Sequence, residues 1–226
     1  MAVKKDVEIL PLEFETTQFT IIGRSPLIVH AWNEKARKQI LDPQTGEPKI
    51  KKHDKRVPFN DFVSSLNWLT PMPELCETEE ETKKKYEAAI KKGVAFGFDI
   101  GGIKKSIIRG AARLGMPIVQ TELKGTFFLF GAGKHSTFQF AEIISPNPPK
   151  MREDFVKIGG ISKTTDIRFR AQFDTWEIPL ILKINKNAKY SLKQIVNLIN
   201  AGGFACGLGE WRPERDGQFG MYELKQ

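Results

Sequence analysis

The chain has 226 residues, of which 40% are hydrophobic and 27% charged, a composition typical of a globular protein with a sizeable core. No apolar run is long enough to span a membrane, and the first ten residues, MAVKKDVEIL, lack the apolar segment of a secretory signal. The net charge of +8 favours polyanionic partners, chiefly nucleic acid.

Metal and cofactor chemistry finds little support in the sequence. The only cysteines, Cys76 and Cys206, form no CxxC pair, and the three histidines are scattered. Residues 131–136 are glycine-rich but lack the spacing of a phosphate-binding P-loop. We therefore expect no metal, no cofactor and no disulfide framework, in a protein of the reducing cytoplasm.

The first predicted elements are a strand over 12–22, a turn and a second extended segment over 23–30, and a helix over 31–41. From residue 42 the composition changes. Turn residues at 42–48 precede a basic run, and a helix over 77–92 carries acidic residues first and basic residues last. We interpret 42–98 as an inserted lobe, and 1–41 with 99–226 as the core.

The next predicted element is a helix over 103–114, on which Lys105, Arg109 and Arg113 recur every four residues. This stripe is either a solvated face or a nucleic-acid contact. Strands are predicted at 117–121, 125–130, 137–144, 166–174 and 176–185. On the fourth of them Arg168 and Arg170 share one face, which we expect to be exposed because two arginines seldom face a core.

The C-terminal region contains a helix over 191–200, with Ser191 as its cap, a glycine-rich loop and a last strand over 218–225. Within the loop, Trp211, Arg212 and Arg215 lie among glycines that permit tight turns and close backbone approach. The segment is either a cradle for a phosphodiester strand, with arginine charge and an indole for stacking, or a tight connection with a surface tryptophan.

Without the insertion, the order strand, helix, strands, helix, strand is the β-α-β-β-α-β pattern of an α+β, ferredoxin-like (RRM-like) fold. In this fold two helices cover one face of an antiparallel sheet and leave the other face free. The free face binds RNA in RRM-type domains.

Three segments resemble the RAMP superfamily of CRISPR-associated proteins, which are built on RRM-like folds. Residues 207–209 (GLG), a spacer of seven residues and 217–220 (GQFG) are similar to the family's paired glycine loop, whose usual spacer is five. Residues 98–113 resemble its first helix, and 20–30 resemble its first strand. The resemblance implies a backbone subunit that coats guide RNA as a helical filament, with a thumb at the insertion.

We therefore predict an antiviral-defence protein that binds single-stranded nucleic acid, RNA more than DNA, without enzymatic activity. It would assemble along the strand as a homo-oligomer or as a subunit of a ribonucleoprotein complex. The predicted contacts are basic or aromatic residues: Lys49, Lys51, Lys52, Lys55, Arg56, Lys105, Arg109, Arg168, Arg170, Trp211, Arg212 and Arg215.

Two alternatives remain open. The resemblance also implies an RNA endonuclease, because some backbone subunits cut target RNA with a single thumb-loop aspartate. The candidates for such a role are Asp42 and His30, with Asp54, Asp61 and His135 as rivals. The third reading is a phage or plasmid protein that uses the same fold as a single-strand binder or as a decoy for host complexes.

Overall fold

The computed structural model describes residues 11–31, 56–157 and 165–226. The described chain is α+β, with antiparallel sheets. Its elements are β1 (Phe14–Gly23), β2 (Leu27–Val29), α1 (Pro58–Ser64), β3 (Asn67–Trp68), α2 (Glu79–Lys92), β4 (Phe96–Asp99), α3 (Ile100–Arg113), α4 (Gln120–Thr126), β5 (Phe127–Gly131), β6 (Phe140–Ile143), β7 (Lys150–Lys157), β8 (Thr165–Phe173), β9 (Glu177–Asn185), α5 (Leu192–Ala205), a 3-10 turn (Pro213–Arg215) and β10 (Tyr222–Leu224).

The largest sheet has four antiparallel strands in the order β10–β1–β9–β5. Alternate residues of β9, such as Leu180 and Leu182, are fully buried, which is the period-two pattern of a strand with one covered face. These residues join a core to which α3 contributes Ile107 and α5 contributes Ile199. On the other face of the same sheet, Thr16 and Gln18 are exposed.

Helices α3 and α5 pack at very short range because glycines face each other. A Cβ atom on Gly110 would lie 2.5 Å from the Cα of Gly202. The hydroxyl of Ser106 donates to the carbonyl oxygen of Gly202 (3.1 Å), and the Tyr222 hydroxyl donates to Ser106 (3.1 Å). The interface therefore fixes both helices and β10 together.

Two smaller sheets, β2–β8–β7 and β3–β4–β6, complete the described fold. Residues 56–98 of the predicted insertion lie outside the four-stranded sheet. Their aromatic side chains nevertheless belong to the common hydrophobic cluster, where Phe96 contacts Phe173 of β8 edge-on at a centroid distance of 5.8 Å. No helix in the described ranges is long and apolar enough to cross a membrane.

Helix α1 and strands β3 and β4, within the interpreted insertion, were not predicted, and two further elements need correction. The strand predicted at 117–121 is wrong, because α4 begins at Gln120 and the Val119 amide donates to the Tyr190 hydroxyl (3.0 Å) and not to a neighbouring strand. Strand β7 was not predicted, because charged residues occur on both of its faces and leave no regular alternation of apolar and polar residues. The helix predicted at 31–41 lies almost entirely outside the described residues, which omit 32–55.

Candidate nucleic-acid interface

A cleft of about 360 Å³ lies where the end of β2, the start of α3 and the glycine loop meet. His30 lines it from the residue after β2, Lys105 and Arg109 from α3, and Gly209 and Arg212 from the loop. The three segments that the sequence marks at 20–30, 98–113 and 207–220 all contribute lining residues. Positions that are distant in the sequence thus converge on one concave surface.

The loop needs glycine for two reasons. Gly207, Gly209 and Gly220 have φ values of 66°, 72° and 65°, in the left-handed region that side chains disfavour. A Cβ on Gly209 would also collide with the carbonyl oxygen of Ile28. The Glu210 amide donates to that same oxygen (2.9 Å), so the loop is hydrogen-bonded along β2.

The start of α3 supplies the floor of the cleft. Asp99 caps the helix, with its Oδ2 accepting from the Gly102 amide at 2.7 Å, so a carboxylate already offsets the positive helix end. Lys105, one turn further on, is exposed and forms no ion pair with any residue in the described ranges. It is the cation most available to a ligand on this helix.

Arg109 and Arg212 converge on a single carboxylate. Nη1 of Arg109 donates to Oε1 of Glu214 at 2.7 Å, while Nε and Nη2 of Arg212 donate to Oε2 at 2.9 and 2.7 Å. Burial alone would raise the pKa of Glu214, but the hydrogen bonds and charges of the two arginines outweigh it and hold that pKa below its usual value. Glu214 is therefore ionised at neutral pH.

Arg170 corrects one expectation. It is only 3% exposed, so the prediction that Arg168 and Arg170 lie on an exposed face is wrong for Arg170. Its Nη1 donates to Asp154 Oδ2 of β7 (3.2 Å), and its Nη2 lies 3.6 Å from Glu210 Oε2. A buried guanidinium is tolerated when carboxylates surround it, and the sequence could not reveal them because β7 was not predicted.

His30 stands at the mouth of the cleft, with its Nδ1 3.9 Å from Glu210 Oε1. Burial lowers the pKa of His30, and the positive charge of Arg170 lowers it further, while Glu210 opposes the shift. The imidazole is consequently neutral at pH 7.

The remaining described candidates lie around the cleft or away from it. Trp211 is 39% exposed with a φ of 51°, and Arg215 is also exposed. Arg168 is half-buried, and its Nε lies 3.5 Å from an Asp166 carboxylate oxygen. Arg56 forms ion pairs with Asp61 and Asp166 and does not line the cleft.

His135 lies outside the cleft, in the loop between β5 and β6, where its Nδ1 is 2.9 Å from Glu142 Oε1. Asp42 and Asp54 lie outside the described residues, as do Lys49, Lys51, Lys52 and Lys55. Among the described residues, no three His, Cys, Asp or Glu side chains are grouped to hold a metal ion.

Sequence reasoning missed one residue that lines the cleft, Glu214, and one that contacts the glycine loop, Arg152. Glu214 neutralises the arginines, and the acid between Arg212 and Arg215 was its only sequence signal. Arg152 of β7 lies over the ring of Phe219, with its guanidinium carbon 4.6 Å from the centroid. The same guanidinium donates through Nε to Asp154 Oδ1 (2.7 Å), so this cation–π pair ties the loop to β7.

No protein-family model matches this sequence, and no curated protein matches it significantly. The resemblance to the RAMP superfamily rests on the three short segments alone, and membership of that family stays a prediction.

Proposed function

We propose that the protein is a non-enzymatic binder of single-stranded nucleic acid, preferentially RNA, which assembles along the strand in the cytoplasm in the manner of a RAMP-type backbone subunit. The observation that carries this proposal is the convergence of the three family-like segments on one cleft. The cleft that these segments share is lined by lysine and arginine, as a site for a polyanion requires.

The topology supports the same proposal. The four-stranded sheet consists of β1, β5, β9 and β10. If these are numbered one to four in chain order, their order across the sheet is four, one, three, two. In the sequence, α3 lies between β1 and β5, and α5 lies between β9 and β10. This is the arrangement that we expect for a ferredoxin-like core, with residues 56–98 belonging to the insertion.

The chemistry of the cleft suits a sugar-phosphate backbone read without sequence preference. Lys105 and Arg109 offer charge to phosphates, while the half-exposed indole of Trp211 offers a face to a base. The free thiols Cys76 and Cys206 agree with a reducing compartment.

The test begins with the native protein, purified without nuclease. We expect co-purifying RNA, seen as a raised ratio of absorbance at 260 and 280 nm, and filaments by electron microscopy. The protein freed of nucleic acid is then titrated with labelled single-stranded RNA, single-stranded DNA and duplex of equal length. Preference for single strands, with affinity that falls as salt rises, supports the proposal. Absence of binding at about 50 mM salt contradicts it.

The endonuclease remains a second candidate because of one observation. His30 lines the cleft, and its lowered pKa leaves a neutral imidazole that can accept a proton at pH 7. Cleavage of bound RNA that disappears in His30→Ala, with binding retained, would favour this candidate over the non-enzymatic one.

A further inference from the structure

Glu214 is a carboxylate inside a cleft that we assign to a polyanion. Its side chain is 11% exposed and lies between Arg109 of α3 and Arg212 of its own loop. A negative group at this point opposes phosphate binding. Its position is therefore a feature that the proposed function must explain.

The two arginines hold Glu214 unequally. Arg212 uses Nε and Nη2 for the carboxylate and Nη1 for the carbonyl oxygen of Gly209 (2.8 Å), so most of its donors serve the loop itself. Arg109 gives only Nη1 to Glu214, and its side chain is 53% exposed. Arg109 can therefore exchange its partner without disturbing the loop, whereas Arg212 cannot.

Lys105 and Arg109 stand four residues apart on α3, so their side chains are neighbours on one side of the helix. Both line the cleft. The oxygens of a phosphodiester and of a carboxylate accept from a guanidinium in the same manner. A phosphate bound between Lys105 and Arg109 would therefore compete with Glu214 for the Arg109 guanidinium.

We propose that Lys105 and Arg109 form a subsite for one phosphodiester group, and that Glu214 is its built-in competitor. In the free protein Glu214 binds Arg109; on binding, the phosphate displaces it from Arg109 while Arg212 retains it. This inference rests on the proposed function and adds its regulation. Each phosphate contact costs one internal ion pair, so binding at a single cleft is weak, and several neighbouring clefts are needed for tight binding.

The decisive variant is Glu214→Gln, which keeps the shape of the side chain and removes the charge. Its matched control is Glu87→Gln, an exposed carboxylate on α2 that forms no ion pair with the described residues and changes the net charge equally. We expect Glu214→Gln to bind single-stranded RNA about twofold to fivefold more tightly than the control, the worth of one partly exposed ion pair. In the background of Arg109→Ala, Glu214→Gln should no longer increase the affinity for RNA. Equal or weaker binding in a stably folded Glu214→Gln overturns the inference.

A second measurement uses the unmodified protein and keeps the test independent of RNA. Tripolyphosphate, a polyanion without bases, is titrated while the Nε–Hε resonances of the arginines are followed by NMR. We expect the Arg109 resonance to shift and the Arg212 resonance to stay. A protein that binds no RNA but shows this pattern contradicts the proposed function and retains the subsite. Shifts at both arginines or at neither overturn the subsite itself.

Discussion

Glycine has different tasks in two regions of this molecule, the interface between α3 and α5 and the loop over 207–220. At the interface Gly110 and Gly202 have ordinary helical backbones and are needed because two helices touch. In the loop Gly207, Gly209 and Gly220 have positive φ values, and the first two line a cleft. The first use concerns packing only, whereas the second creates a surface that a ligand can reach.

The comparison teaches that a glycine-rich signature is not in itself a sign of binding. Gly202 and Gly203 stand only a few residues before the loop and look like part of one motif in the sequence. Both are buried against α3 or β10. The glycines that matter for a ligand are those whose substitution would change the loop and leave the helices in place.

The largest effect is expected at the helix interface. Gly110→Ala places a Cβ 2.5 Å from the Cα of Gly202, and backbone cannot yield as a side chain can, so the free energy of unfolding should fall by about 1–3 kcal/mol. Gly125→Ala in α4 is the control, since a methyl group added there would have no atom within 4 Å. It should be neutral or up to about 1 kcal/mol more stable. Urea unfolding measures both, and equal stabilities would mean that the helices do not pack as described.

A loss of stability joined by a loss of binding is expected for Gly209→Ala. Its positive φ costs an alanine roughly 1–2 kcal/mol, and the collision with Ile28 pushes the loop off β2. Gly115→Ala shares the positive φ (65°) but has no atom within 4 Å. Thermal unfolding should show both variants destabilised, whereas RNA affinity should fall only for Gly209→Ala. Retained affinity in that variant would separate the loop from the binding site.

Trp211 tests the exposed side of the loop. Trp211→Ala should weaken binding of single strands by about 1 kcal/mol, near the lower end of the range for a base stacked on an aromatic ring, because the indole is only 39% exposed. The salt dependence should not change, since stacking releases few counterions. Titrations at several salt concentrations measure both quantities. A flatter salt dependence would indicate that Trp211 acts by holding a cation in place.

The two arginines of the loop should differ in effect, one changing only the binding and the other also the stability. Arg215 is exposed, so Arg215→Ala should reduce the slope of log affinity against log salt by about 0.7, the value for one phosphate of a single strand, without loss of stability. Arg212 binds Glu214 and Gly209, so Arg212→Ala should lower the melting temperature as well. If the two variants behave alike, Arg212 does not act as a brace.

Local patterns predicted most of the elements, and non-local charge pairs account for the site residues that they missed. The alternation of β9 and the Ser191 cap of α5 could be recognised from neighbouring residues. The partners of Arg109 could not, because Glu214 is 105 positions away. Likewise Arg170 becomes an acceptable core residue only once Asp154 of β7 lies beside it, and a strand with charges on both faces has no apolar period to reveal it.

The smallest effect concerns the pH dependence at His30. Burial lowers the pKa of this imidazole below the ordinary 6.5, so the unfolded chain takes up a proton at a higher pH than the folded chain does. The contribution of His30 to stability is therefore complete above pH 6.5 and is lost as the pH falls through the lower, folded-state pKa. The groups around it act in both directions, with Arg170 and Arg168 lowering the pKa and Glu210 and Asp61 raising it.

Bound RNA should act on His30 with the opposite sign. A phosphate in the cleft favours the imidazolium, so the affinity for RNA should rise as the pH falls from 7 to 5, over the same range in which the free protein loses stability. The comparison of wild type with His30→Gln isolates both trends, because contributions from other titrating groups cancel in the difference. The Hε1 resonance of His30 gives its pKa directly, with and without RNA. A pKa above 6.5 in the free protein would mean that the carboxylates of Glu210 and Asp61 outweigh burial. A pKa that RNA leaves unchanged would mean that the phosphates pass the glycine loop without approaching His30.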